Sequence, residues 1–167
     1  MNPFDALAAL AQIAVALAGF SSIIVVFRRG AATESWRPED IWRFRALLEA
    51  GLSAGLLAIV PTLIASFEVD PAELWPRLSL VCAIYTSAYM FRTIRQMRRL
   101  PKGSLFLPLV ATLYTLAGAT IVVQVVSGFG WLAPHSPGPY LLGVVWYTAF
   151  AGVAFYRLSM APIASAQ

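Results

Sequence analysis

Five apolar runs, each about as long as a lipid bilayer is thick, dominate this chain. A hydrocarbon core about 30 Å deep takes roughly 20 residues of α-helix, which rises about 1.5 Å per residue. Residues 4–27, 46–67, 74–91 (continuing as a polar helix to 99), 104–127 and 139–160 meet that requirement. The connections are short, and no segment has the composition of a water-soluble domain. Of the 167 residues, 59% are hydrophobic and 12% charged, and the mean hydropathy is +0.73. A soluble domain carries about 25% charged residues, so folding in water would leave broad apolar patches exposed. The expected fold class is all-α: a polytopic membrane helix bundle with about five transmembrane helices, forming a single transmembrane domain over 1–167.

Local signals mark where these helices begin and bend. Asp70-Pro71-Ala72-Glu73 supplies a capping carboxylate, a proline at the first helical position and an acid at N3. Pro38-Glu39-Asp40 and Pro139 are similar openings, with Pro38–Arg45 an amphipathic approach to the second run. Pro61 and Pro108 lie inside or near the start of apolar runs and predict kinks, tolerable where a neighbouring group satisfies the freed carbonyl. The first run is expected to be a spanning helix rather than a cleavable signal, because no basic residue precedes Arg28.

Charge sets the expected orientation. With five spans, Arg28, Arg29, Arg37, Arg43, Arg45, Arg92, Arg95, Arg98, Arg99, Lys102 and Arg157 share one side, against Arg77 alone on the other. The positive-inside rule makes the first side cytoplasmic, with the N-terminus out and the C-terminus in, as in an inner (plasma) membrane. Asp5, Glu68, Asp70, Glu73 and His135 fall outside. Trp36 and Trp42 are expected at the inner interface, and Trp75, Trp131 and Tyr140 at the outer one.

The same inventory argues against several functions. The net charge of +4 comes from residues flanking apolar runs rather than from a basic soluble face, so nucleic acid is not an expected partner. One cysteine, Cys82, excludes an intrachain disulfide, and together with one histidine it leaves no zinc or haem ligand set. No cofactor is expected. His135 sits in an outer connection, so no intramembrane Ser/His pair forms; no acidic cluster suits Mg²⁺ and no Gly-rich phosphate loop is present. Catalysis is not expected.

Four features are candidate sites. Asp5, Ala8, Gln12, Ala16, Gly19 and Ser22 form a polar and small stripe along one face of the first helix. Copies of that helix around an axis would give a pore with Asp5 at the outer mouth, Gln12 as a polar ring, Val25 and Val26 as a constriction, and Arg28 and Arg29 as an inner vestibule. The alternative is tight helix packing, for which small residues are the usual choice in membranes. Glu49, the one acid well inside an apolar run, is either a cation or proton site or a partner of Arg45, Arg92 or Arg95 in an ion pair. Gly51 and Gly55 form a GxxxG helix-packing motif, within the chain or between chains. Arg92, Arg95 and Arg99 share a face and either contact anionic lipid headgroups or serve topology alone. Among the remaining intramembrane polar groups, Gln124 is the most informative, since its amide needs a partner.

The run Leu17-Ala18-Gly19-Phe20 resembles the pore helix of Orai calcium channels in its Gly-Phe pair. In that family basic residues precede the pair, whereas here Arg28-Arg29 follow it, and no residue role is carried over. Three function classes follow from these features. The first is a homo-oligomeric channel or permeation pathway lined by the first helix. The second is a non-catalytic accessory or scaffold subunit that meets another membrane subunit through small-residue faces. The third is a protein that binds a lipid or small apolar molecule. In each the lipid bilayer is the solvent.

Overall fold

The protein's structure, a computed structural model, describes residues 2–31, 38–100, 107–132 and 135–160, with side chains for all of these except 24–31, 38, 39, 71 and 107. The described residues contain five helices: α1 (Pro3–Ala31), α2 (Pro38–Ala65), α3 (Pro71–Met97), α4 (Leu107–Gly128) and α5 (Gly138–Ser159). The amphipathic approach at Pro38–Arg45 and the second apolar run are thus one continuous helix. Residues 104–106, expected to open the fourth span, lie outside the described residues, as do Trp36 and Lys102.

The boundary chemistry behaves as local physics requires. Asp70 caps α3, its carboxylate accepting the Ala72 amide at 2.8 Å, with Pro71 in the first turn. Pro108 also falls in a first turn, where its missing N–H interrupts no helical bond, so no kink is needed there. Pro61 lies well inside α2 and removes the amide that would have bonded the Leu57 carbonyl. The hydroxyl of Tyr140 on α5 donates to that carbonyl instead.

Consecutive helices run antiparallel. Leu7 packs in the cluster that holds Ala58, and Ala14 lies beside Gly51, which fixes α1 against α2. Ser53 meets Tyr85 and Glu49 meets Arg92 across α2 and α3. Leu80 abuts Gly128, and Tyr114 donates to Thr93 at 2.7 Å across α3 and α4. Helix α2 packs mainly on α1 and α5, while α3 packs mainly on α4. Small residues make these approaches possible: Ala46, Ala50, Ala54 and Ala58 recur every fourth position along the buried side of α2. The facing side of α5 contributes Trp146, Tyr147 and Phe150, which close around Tyr89 of α3.

The outside of the bundle is apolar on every helix. Ile13 and Phe20 on α1, Leu52, Leu56, Ile59 and Leu63 on α2, Val81 and Ile84 on α3, Val122 on α4 and Val145 on α5 are all exposed. So wide a greasy belt suits hydrocarbon and would aggregate in water. Four helices, Pro3–Ile23, Asp40–Ala65, Pro108–Gly128 and Gly138–Ser159, are long and apolar enough to cross a membrane. Helix α3 falls below that apolarity because Arg77, Ser79, Thr86, Ser87 and Thr93 interrupt it. It is nonetheless 27 residues long and packs beside α2, α4 and α5. The protein is a helical membrane bundle.

Antiparallel packing also sorts the charges. Arg43, Arg45, Arg92, Arg95, Arg98, Arg99 and Arg157 gather at one end, where α2 and α4 begin and α3 and α5 finish. Asp5, Glu68, Asp70, Glu73, Arg77 and His135 occupy the other.

Candidate functional site

Helix α1 is held by one face. Leu7, Ala14 and Ser21, spaced by seven, are fully buried against its neighbours; α1 packs mainly on α2 and α5, with Phe4 near its start against Trp75 of α3. At 100° per residue, Asp5, Gln12, Ala16 and Gly19 point the opposite way. All four are exposed, as are Ala8 and Ser22. The hydroxyl of Ser22 returns to the Ala18 carbonyl, but the Gln12 side chain makes no hydrogen bond among the described residues. A Cβ added to Gly19 would meet nothing within 4 Å. The stripe seen in the sequence is therefore not filled by the chain's own helices. The side chains of Val25, Val26, Arg28 and Arg29 lie outside the described residues.

The glycines of α2 serve a different contact. A Cβ on Gly51 would lie 3.2 Å from the Ala14 carbonyl oxygen and 3.5 Å from the Ala18 Cβ, so α1 and α2 approach closely at Gly51. At Gly55 the nearest atom, Val15 Cγ2, is 3.9 Å away. The motif works within the chain, chiefly through its first glycine.

Glu49 sits between two guanidiniums. Arg45 Nε donates to Glu49 Oε1 at 2.7 Å, one turn away on the same helix. Oε2 is buried and faces Arg92 of α3 as a charge contact rather than through an aligned hydrogen bond. Arg95 does not join them; its guanidinium lies over the Phe91 ring, 5.4 Å from the centroid. Beneath Glu49, the Ser53 hydroxyl donates to the Glu49 carbonyl at 2.6 Å, so the 2.8 Å contact with Tyr85 must take its proton from the tyrosine. These bonds tie α2 to α3 near the basic end.

Beyond Glu49, Arg92, Arg95, Gln96 and Arg99 border an open hollow of about 270 Å³ with Phe91 at its rim. The i, i+3, i+7 spacing of the arginines places them on one face of α3. A second, narrow apolar cleft of about 50 Å³ lies between the starts of α2 and α4 and the end of α5, lined by Ala46, Leu113 and Val153 among others. The indole N–H of Trp42, which also borders it, is buried without a hydrogen-bond partner among the described residues.

Sequence reading found Gln124 but not its setting. The residue is fully buried, and neither amide atom has a hydrogen-bond partner among the described residues. Its amide crosses directly over Gly143 of α5, where an added Cβ would collide with it and lie 2.7 Å from the Cys82 sulfur. Gly143 alone, in an otherwise apolar run, was the available signal. Thr86, one turn from Cys82, donates to the Cys82 carbonyl, whereas the hydroxyls of Ser79 and Tyr147, like the amide, are buried without a hydrogen-bond partner among the described residues. The partly buried Asp40–Arg43 pair at the start of α2, 2.8 Å apart, was likewise not singled out. The chain matches no protein-family model, no curated protein and no solved structure.

Proposed function

We propose that the protein assembles as a homo-oligomer in which the outward faces of α1 meet around a shared axis and line a permeation pathway. One observation carries this reading: Gln12 lies on the outside of the folded chain, unbonded, opposite the face that holds α1 in place. Gln12 stands nine residues after Pro3, or about 13 Å along the helix, close to the middle of a hydrocarbon core about 30 Å deep. Moving an amide from water into hydrocarbon costs about 4–8 kcal/mol when nothing there can bond it. Partner copies, or water enclosed between them, remove that cost. Ala16, Gly19 and Ser22 are small enough to let copies approach, and Asp5 marks the outer end of the same face.

In this reading all five helices span an inner (plasma) membrane, with the arginine-rich end cytoplasmic, the N-terminus out and the C-terminus in. Acids at the mouth and an amide within it suit passage of a small hydrophilic solute or ion. The protein acts without a cofactor and without covalent chemistry.

Cysteine scanning separates a water-lined axis from dry packing and from contact with lipid. In a Cys82→Ala background, cysteines at 12, 16 and 19 should react with a membrane-impermeant thiol reagent, while cysteines at 13, 17 and 20 should not. Proteoliposomes should pass ions, with the flux altered by Asp5→Asn and by Gln12→Leu. A purified protein that stays monomeric in lipid nanodiscs overturns the reading. So does stoichiometric recovery with a different membrane subunit seated on α1, which would make this chain an accessory component.

A further inference from the structure

The outer face of α3 changes character abruptly along its length. Val81, Ile84 and Phe91 are 58%, 71% and 64% exposed, and Ala88 between them is exposed as well. Starting at the very next residue, Arg92, Arg95 and Arg99 continue this side of the helix around the hollow that Gln96 completes. The apolar part from Val81 to Phe91 is about 15 Å long, the depth of one leaflet of a core about 30 Å thick. Apolar length and cationic end together have the shape of one membrane lipid with an anionic head.

The charge around the hollow is strongly one-sided. Three guanidiniums border it, and among the described residues the one carboxylate paired with any of them is Glu49, which Arg45 also claims. Arg92 is half exposed even while it meets Glu49, so the same guanidinium can be offered outward. Arg99 has no ion pair among the described residues. A guanidinium fork matches phosphate oxygens well, and a dry rim such as Phe91 strengthens the contact.

We propose that this hollow binds the phosphate of an anionic membrane lipid, whose acyl chain lies along Val81, Ala88 and Phe91, and that the phosphate competes with Glu49 for Arg92. Binding is thereby linked to the ion pair joining α2 to α3. The site stands or falls separately from the α1 oligomer.

Native mass spectrometry of the full chain in a neutral detergent, titrated with phosphatidylglycerol or phosphatidylcholine, tests this. One phosphatidylglycerol should be retained in preference to phosphatidylcholine. The double variant Arg95→Gln, Arg99→Gln should weaken that retention roughly thirtyfold, as expected for two surface-proximal charges. Arg98→Gln removes a neighbouring charge that does not border the hollow, and it should leave retention unchanged. Glu49→Gln frees Arg92 and should tighten retention, an outcome that loss of folding cannot imitate. Equal retention of the two lipids, an Arg98→Gln effect matching that of the double variant, no gain from Glu49→Gln, or equal displacement by millimolar inorganic phosphate would each overturn the proposal.

Discussion

The hydroxyl of Tyr140 on α5 donates to the carbonyl of Leu57 on α2, the group that Pro61 leaves without its helical amide. A proline in the membrane interior is thus made tolerable by a side chain from a helix more than eighty positions away. Tyr140→Phe keeps the ring and strands the carbonyl in an apolar core, which should cost about 1–3 kcal/mol. Pro61→Ala returns an amide to position 61. Thermal unfolding in detergent should show Tyr140→Phe costing much less in the Pro61→Ala background, and an unchanged cost would mean that the hydroxyl acts elsewhere.

The glycines should differ sharply despite their similar surroundings in sequence. Gly51→Leu drives a side chain into the Ala14 backbone and should destabilise the bundle by about 1–3 kcal/mol. Gly55→Ala meets only a methyl at 3.9 Å and should be neutral or stabilising, by up to about 1 kcal/mol from helix propensity. Gly19→Leu enters open space. It should leave the melting temperature of the monomer in place and change only the mass of the assembly measured by light scattering.

Gln124 and Gly143 should behave as a coupled pair. Gly143→Ala places a methyl on the Gln124 amide and beside the Cys82 sulfur, and should lower stability by about 1–3 kcal/mol. Shortening the opposing side chain, as Gln124→Ala, should recover part of that loss in the double variant. Gln124→Met retains bulk and removes two unbonded polar atoms, so it should stabilise the fold by about 1–2 kcal/mol and raise the unfolding midpoint. A lowered midpoint instead would identify a polar partner for the amide.

Glu49→Gln removes the charge that Arg45 and Arg92 share. With the carboxylate 23% exposed and both arginines at least half exposed, the loss should fall between the roughly 1 kcal/mol of a surface pair and the roughly 3 kcal/mol of a buried one. High salt in the unfolding assay should shrink the difference, which a purely steric role for Glu49 would not allow.

The fold was legible because hydrocarbon imposes a length and a polarity that five runs of sequence either satisfy or do not. The placement of α1's stripe was not legible: periodicity puts Asp5, Gln12, Ala16 and Gly19 on one face, but only packing decides whether that face looks in or out. Leu7, Ala14 and Ser21 decided it, and their seven-residue spacing was present in the sequence alongside the stripe. The partners of Glu49 were narrowed to three arginines by helix spacing and sidedness. That Arg95 would turn to Phe91 instead depends on side-chain direction, which spacing alone does not give. Gly143 escaped notice because a glycine's role is set by what crosses over it, here an amide from another helix.

Helix α3 has one further consequence, for how the chain enters the bilayer during synthesis. Its polar hydroxyls face α2, α4 and α5 or bond back to its own carbonyls, so much of its compatibility with lipid is conferred by neighbours. Of those, α4 and α5 are made later. A nascent chain ending near Met97 should therefore remain in the insertion machinery or slip back toward water, and become firmly anchored only once α4 has arrived to form a hairpin with it. The least oily helix would then be the one that sets the order of assembly.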